Sequence, residues 1–191
     1  MDAGHGGVDQ GGNNKKIIEK EIDLTVALKM QTILEDKGYK VYMTRTSDQS
    51  LSKQDRYNYC NNTKAEIMVA IHHNSYTDPT VNYSSSLYYT EFDQVLASSI
   101  VSGVSNRLGI KNGGVAKLNS RILSKADMPA TISEAFFMSS SEEYNLLTKA
   151  GSTRLKDEAQ GIVDGIINYF ENPDSIEPVI NNDQIIPADE E

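Results

Sequence analysis

Residues 67–75 read Ile-Met-Val-Ala-Ile-His-His-Asn-Ser. Five successive apolar residues are a strand run with both faces buried, because a half-exposed strand alternates apolar and polar positions. The run closes on His72 and His73, two of only three histidines in the chain. Strands buried on both faces belong to parallel sheets covered by helices. In such sheets ligands collect beyond the carboxyl ends of the strands, where these histidines fall.

The flanking sequence supports this reading on both sides. Upstream, residues 52–63 read as a helix opened by Ser52 as its cap, and Lys40–Thr44 as a short strand. Further upstream, Ile22, Val26, Met30, Ile33 and Leu34 recur at helical spacing, and Gly38 stands where a helix C-terminus would be capped. Downstream, Leu87–Thr90 reads as a strand and residues 93–108 as a helix ended by Gly109. Arg121–Ser124 and Thr131–Phe137 read as strands around Pro129. Leu155, Ala159, Ile162, Val163, Ile166, Ile167 and Phe170 form the stripe of a last amphipathic helix. Strands alternating with helices predict a single α/β domain: a central, mostly parallel, twisted sheet with helices on both faces.

Composition sets the outer bounds. The 191 residues carry a net charge of −9. Residues 172–191 hold six acids, no Lys or Arg, and three of the five prolines, which leaves −3 for residues 1–171. The expected division is therefore a domain over 1–171 and an acidic linker or loosely ordered tail over 172–191. The tail's apolar pairs Val179-Ile180 and Ile185-Ile186 are its candidates for docking. A mildly acidic body argues against nucleic acid held by a basic patch, and no run approaches the roughly 18–20 apolar residues of a membrane span. Cys60 is the only cysteine, which excludes an internal disulfide or a Cys-rich metal site; it is expected in the core of its helix. The chain shows no secretory leader of its own, so an export signal would lie outside it.

The chemistry-bearing residues are few. His5 stands in the glycine-rich opening Asp2-Ala3-Gly4-His5-Gly6-Gly7. That opening lacks the Gly-Lys-Ser/Thr of a phosphate loop, so it reads as a tight turn that aims His5 into a gap. Without cysteine, zinc needs nitrogen and carboxylate donors, and two histidines with one carboxylate suffice when one position stays open. The carboxylate candidates are Glu19 and Glu21, in the first turn of the Ile22 helix, where the helix dipole favours negative charge. Glu134 interrupts the apolar strand Thr131–Phe137, and an acid in such a strand is costly unless paired or functional. Solvated loop histidines, an ordinary helix-start acid and an outward-facing edge acid are the alternative readings of these residues. Tyr83, Tyr88 and Tyr89 read as strand packing, and Arg45 and Arg56 as structural ion-pair donors in preference to substrate clamps.

Six segments in order carry a resemblance: Asp2–Gly7, Glu19-Lys20-Glu21, Thr44-Arg45, Arg56 followed by Asn61-Asn62, Ile71–Ser75, and Glu134–Phe137. Together they resemble the zinc-dependent N-acetylmuramoyl-L-alanine amidases of the amidase-3 family over about residues 2–171. The resemblance implies one zinc ion held by His5, Glu19 and His72, with Glu134 as catalytic acid/base. It implies hydrolysis of the amide between N-acetylmuramic acid and the stem-peptide L-alanine. It also implies peptidoglycan as partner, a monomer, and work outside the cell, in the wall or periplasm, for a bacterial enzyme or a phage lysin. The body's charge would not hold it on an anionic wall, which is compatible with a separate wall-binding module outside this chain. Three departures stand out. Phe136 occupies the place of the family's usual glycine, with an expected effect on the cleft floor. His73 occupies a variable position and is expected in the cleft wall. Only Met1 precedes the first motif, where the family has an apolar strand, so an incomplete N-terminus is expected. The rival classes are another zinc hydrolase on the same ligands, such as a peptidase or deacetylase, and a wall-binding module without catalysis.

Overall fold

The computed structural model describes residues 1–181. In chain order the elements are strand β1 (Asp2–Ala3), a small hairpin of β2 (Asn13–Asn14) and β3 (Ile17–Ile18), helix α1 (Glu19–Asp36) and helix α2 (Lys53–Asn61). Then follow β4 (Met68–Asn74), β5 (Ser84–Tyr88), α3 (Gln94–Leu108), β6 (Asn112–Lys117), α4 (Arg121–Ser124), β7 (Ala130–Phe137), α5 (Ser141–Thr148) and α6 (Arg154–Glu171). The sheet order is β1-β4-β7-β5-β6; every neighbouring pair is parallel except β5–β7.

The sheet separates two apolar layers. On one face Val69, Ile71 and Ala135 pack with Val26 and Met30 of α1, Ile100 and Val104 of α3, and Ile162 and Ile166 of α6. On the other, Met68, Ala70, Leu87 and Ile132 pack with Cys60 of α2 and with Ile122 and Leu123 of α4. This is the α/β sandwich that the alternating pattern predicts. The α3–α6 contact is unusually close. A methyl group at Gly165 would stand 2.7 Å from Ser99 O and 2.8 Å from Ile100 Cα, so only glycine lets these two backbones meet.

Most of the expected elements form where they are expected. Helix α1 runs past Leu34 to Asp36, and Gly38 follows with φ +89°. Ser52 caps α2 with a reciprocal Ser52–Asp55 capping box, and left-handed Gly109 ends α3. Three expectations are corrected. Arg121–Ser124 is a helical turn, because Ser120 Oγ accepts the Ile122 N–H and the turn buries Ile122 and Leu123 together. Lys40–Thr44 forms no strand; its backbone meets Met1, just before β1, through Thr44 N–H to Met1 O (3.1 Å) and the Met1 ammonium to Tyr42 O (2.6 Å). The strand expected over Leu87–Thr90 lies at Ser84–Tyr88. The tail reaches the sheet through its backbone. Val115 N–H donates to Val179 O and Asn181 N–H to Val115 O, while Val179 and Ile180 themselves stay exposed. The Ile185-Ile186 pair lies outside the described residues.

The topology puts three chain segments at one rim. β1 runs parallel to β4 with Ala3 opposite Ile71, so Gly4-His5 and His72 leave the sheet side by side. β7 runs on the other side of β4, with Glu134 opposite His72.

Candidate metal centre

His5 is fixed by a loop whose carbonyls are held from below. Gly4 N–H still pairs with Ile71 O (3.0 Å); the chain then turns through His5 (φ +51°), Gly6 (φ +128°) and Gly7 (φ +59°). Gly6 and Asp9 close the turn with two backbone hydrogen bonds. A histidine in the left-handed region is costly and persists only where its surroundings impose it. The surroundings here are two buried arginines. Arg56 donates to Asp2 Oδ1 (2.8 Å), Ala3 O (2.6 Å) and His5 O (2.5 Å). Arg45 donates to Ala3 O (3.0 Å), Gly4 O (2.5 Å) and Lys20 O (2.9 Å). Both are structural, as expected, although the partners found for Arg45 are carbonyls and not an acid.

Helix α1 supplies carboxylates from one face. Glu19 and Asp23, one turn apart, are buried, whereas Glu21 is exposed on the helix. Glu19 Oε2 accepts the Gly12 N–H (2.6 Å), and Oε1 accepts the His73 N–H (3.0 Å). The same Oε1 lies 3.2 Å from His5 Nε2 and 3.5 Å from His72 Nδ1. The His5 and His72 rings stand 4.8 Å apart at 73°. Donor atoms of His5, Glu19, Asp23 and His72 all fall within 4.8 Å of one another. Two of the three histidines and the first candidate glutamate thus meet. Asp23 joins them, unread in the sequence although its position four residues after Glu19 is the signal.

The donor set fits a zinc ion. Nitrogen and oxygen ligands about 2.0–2.2 Å from zinc at tetrahedral angles lie roughly 3.3–3.5 Å apart, close to the two separations about Glu19 Oε1. The four side chains are held within the fold: His5, Glu19, Asp23 and His72 are all buried. Asp9 Oδ2, 2.9 Å from His5 Nδ1, orients the imidazole so that Nε2 faces the cluster.

Electrostatics agree with an acidic, cation-seeking centre. Burial alone would raise Glu19, but hydrogen bonds from His5 and His72 hold it well below the usual carboxylate range. Burial opposes charge on His5, yet Glu19 outweighs it and lifts His5 to about 9. Burial, then the Glu19 charge, push Asp23 up to about 6.

Glu134 lies fully buried in the middle of the sheet. Register partners in neighbouring strands project to the same face, so Glu134 stands beside His72 about one strand spacing away. His73, the next residue, projects to the opposite face. It is not in the cleft wall: its ring nitrogens lie 2.8 Å from Asp23 Oδ1 and 3.0 Å from Glu158 Oε2, with no side-chain exposure. Burial opposes charge there, but Glu158 and Asp23 raise His73 well above its ordinary value. Phe136 belongs to the same buried layer, 4.4 Å from the His73 ring, and not to the floor of the cleft.

Fold and cluster together define an α/β domain with a two-histidine, carboxylate-rich centre of the kind that holds a divalent metal. The chain belongs to the amidase-3 family of N-acetylmuramoyl-L-alanine amidases, whose family model matches residues 1–168. It is 27% identical over 173 residues to a probable cell wall amidase, LytH, of Staphylococcus epidermidis, covering 89% of this chain and 57% of that protein. The chain thus spans little more than half the length of that relative. The catalytic domain of CwlV, an amidase from Bacillus (Paenibacillus) polymyxa, superposes with a TM-score of 0.83 at 29% identity, over 89% of this chain and 96% of that domain. An N-acetylmuramoyl-L-alanine amidase from Clostridium difficile 630 matches equally well in shape, with a TM-score of 0.83 at 28% identity, over 90% and 95%. No helix among the described residues is long and apolar enough to cross a membrane.

Proposed function

We propose that this chain is a zinc-dependent N-acetylmuramoyl-L-alanine amidase domain that cleaves the amide between the lactyl group of N-acetylmuramic acid and the L-alanine of the stem peptide. One observation carries the reading: in a member of this family, His5, Glu19 and His72 converge around one carboxylate oxygen, with buried Glu134 in register beside His72. His5, Glu19 and His72 would hold the ion, and Asp23, engaged by His73 through Oδ1, stands behind them. Three protein ligands leave one position for water or substrate; bound zinc supplies a Lewis acid for the scissile carbonyl and an acidified water at neutral pH.

The chain's own residues do the rest. Asp9 holds the His5 tautomer, and the arginine-locked loop keeps the His5 ring in place. Glu134 takes a proton from the attacking water and delivers it to the departing nitrogen as the C–N bond breaks. The products are a muramic acid carboxylate and a stem peptide with a free L-alanine amine. The staphylococcal relative is a probable cell wall amidase, and we place the action of this chain at the cell wall. Glu134→Gln tests the assignment: it keeps zinc stoichiometry and loses about 10²–10⁴-fold in turnover. Undiminished turnover would remove Glu134 from its role. A peptidase or deacetylase on the same ligands would release different products, and a binding module would release none.

A further inference from the structure

Past the carboxyl end of β7 lies a cavity of about 430 Å³ between the β2–β3 hairpin and the start of α5, within the range of ligand pockets. Asn14, Lys15, Ser139, Ser141 and Asn145 supply polar groups to its wall, and Tyr144 supplies a ring. Lys15 is the single charged residue of that wall.

The cavity adjoins the metal centre through shared structure. Asn14 Nδ2 donates to Met138 O (2.6 Å), anchoring the hairpin to the end of β7. Two residues earlier, Gly12 N–H donates to Glu19 Oε2 (2.6 Å), and a methyl group at Gly12 would lie 3.5 Å from Met138 Sδ. Met138, next to the cavity residue Ser139, thus meets the same hairpin segment that touches Glu19. On the far wall, the Ser141 N–H donates to Pro79 O and the Tyr76 N–H to Ser139 Oγ, which fixes the turn that carries both serines.

Lys15 itself is unusual. It sits at φ +58°, a conformation glycine adopts freely and lysine does not, so its side chain is present at a conformational cost. Its ammonium rests 4.7 Å from the centre of the Tyr144 ring, at the cavity rim. The nearby Glu143 charge is matched by Arg154, whose Nε donates to Glu143 Oε2 (2.7 Å).

We propose that this cavity binds the stem peptide on the leaving side of the scissile amide, with Lys15 pairing a free carboxylate of the residue that follows L-alanine. The proposal rests on the amidase reading and extends it to a substrate subsite. Chemistry selects the peptide over the glycan. The muramic acid lactyl carboxyl is consumed in the scissile amide, which leaves the N-acetylated sugar side uncharged there, whereas the peptide side keeps carboxylates and backbone amides. One cation among hydroxyl and carboxamide groups matches the second and not the first.

The test uses zinc-loaded protein and two muropeptides that differ only in carrying a carboxylate or a carboxamide after L-alanine. Wild type should prefer the carboxylate in KM by about tenfold, the effect of one hydrogen bond to a charged group, with kcat equal. Lys15→Gly, which suits the backbone, should abolish that preference, and Lys15→Arg should restore it. A preference that survives Lys15→Gly, or none in wild type, overturns the proposal. A binding arm reports without turnover: the free stem peptide, acid and amide forms, titrated into the protein by NMR. Shifts at Lys15, Tyr144 and Asn145 confined to the acid form support it. Equal shifts from inorganic phosphate would show a general anion site and overturn it. Turnover without a carboxylate preference defeats this subsite alone, whereas peptide binding without any amide cleavage defeats the amidase reading.

Discussion

Gly4→Ala separates the metal centre from the fold. A methyl group at Gly4 would stand 2.5 Å from His72 Cε1, 2.6 Å from His72 Nε2 and 2.6 Å from Asp23 Oδ2. Ordinary contact begins near 3.4 Å, so these groups must retreat by roughly 0.8–0.9 Å. Zinc ligation tolerates about 0.2 Å in distance, so a retreat of that size takes His72 out of coordination. Gly4 has no left-handed φ among the described residues, so alanine adds no backbone strain, and overpacking costs about 1–3 kcal/mol of stability. Zinc affinity should fall by at least the 10–100-fold seen when a ligand is merely misoriented. Chelator competition measures the affinity, and thermal unfolding of the metal-free protein measures the fold. A variant that binds zinc as wild type does would refute the placement of His72 at the centre. A variant that does not fold would refute the claim that Gly4 serves the site before the scaffold.

Zinc binding at pH 7 should release about one proton, because Glu19 holds His5 protonated to about pH 9 and a ligand must be deprotonated. Affinity should therefore rise with pH up to about 9, and titration calorimetry in buffers of different ionisation enthalpy counts the proton. His73→Ala leaves Asp23 and Glu158 buried without their shared cation and should cost about 3–5 kcal/mol in denaturant unfolding at pH 7. Folding raises the His73 pKa, so this advantage is complete below its unfolded value, about 6.5, and is lost as pH climbs through the folded value. A loss under 1 kcal/mol would contradict the buried charge cluster. Gly165→Ala gains about 1 kcal/mol of helix propensity but drives a methyl group into the Ser99 and Ile100 backbone. Net destabilisation is expected, and a rise in Tm would show that α3 and α6 separate easily.

What the sequence discloses follows the range of each signal. β4 is legible because an unbroken apolar run has one economical home, and α6 because its stripe repeats over 18 residues. β6 hides because Asn112-Gly113-Gly114 carries no strand preference; its conformation comes from pairing with β5 on one side and Val179–Asn181 on the other. The Ile122-Leu123 pair is too short to separate strand from turn, and the Ser120 cap decides it. At the site, local context marks His5, the Glu19/Glu21 helix start and the His72-His73 strand end as candidates, and the family resemblance singles out His5, Glu19 and His72 among them. His73 is instructive: strand alternation sends neighbours to opposite layers, so a strand that aims His72 at the site must aim His73 into the core. Glu158, 85 residues from His73, has no local signature, and only the folded chain pairs the two.

The central claim is met most directly by a digest of purified peptidoglycan with zinc-loaded protein, with amino termini and reducing ends counted separately. The account predicts new L-alanine amino termini and no new reducing ends. New reducing ends, amino termini from other residues, or no release from protein shown to hold zinc would contradict it.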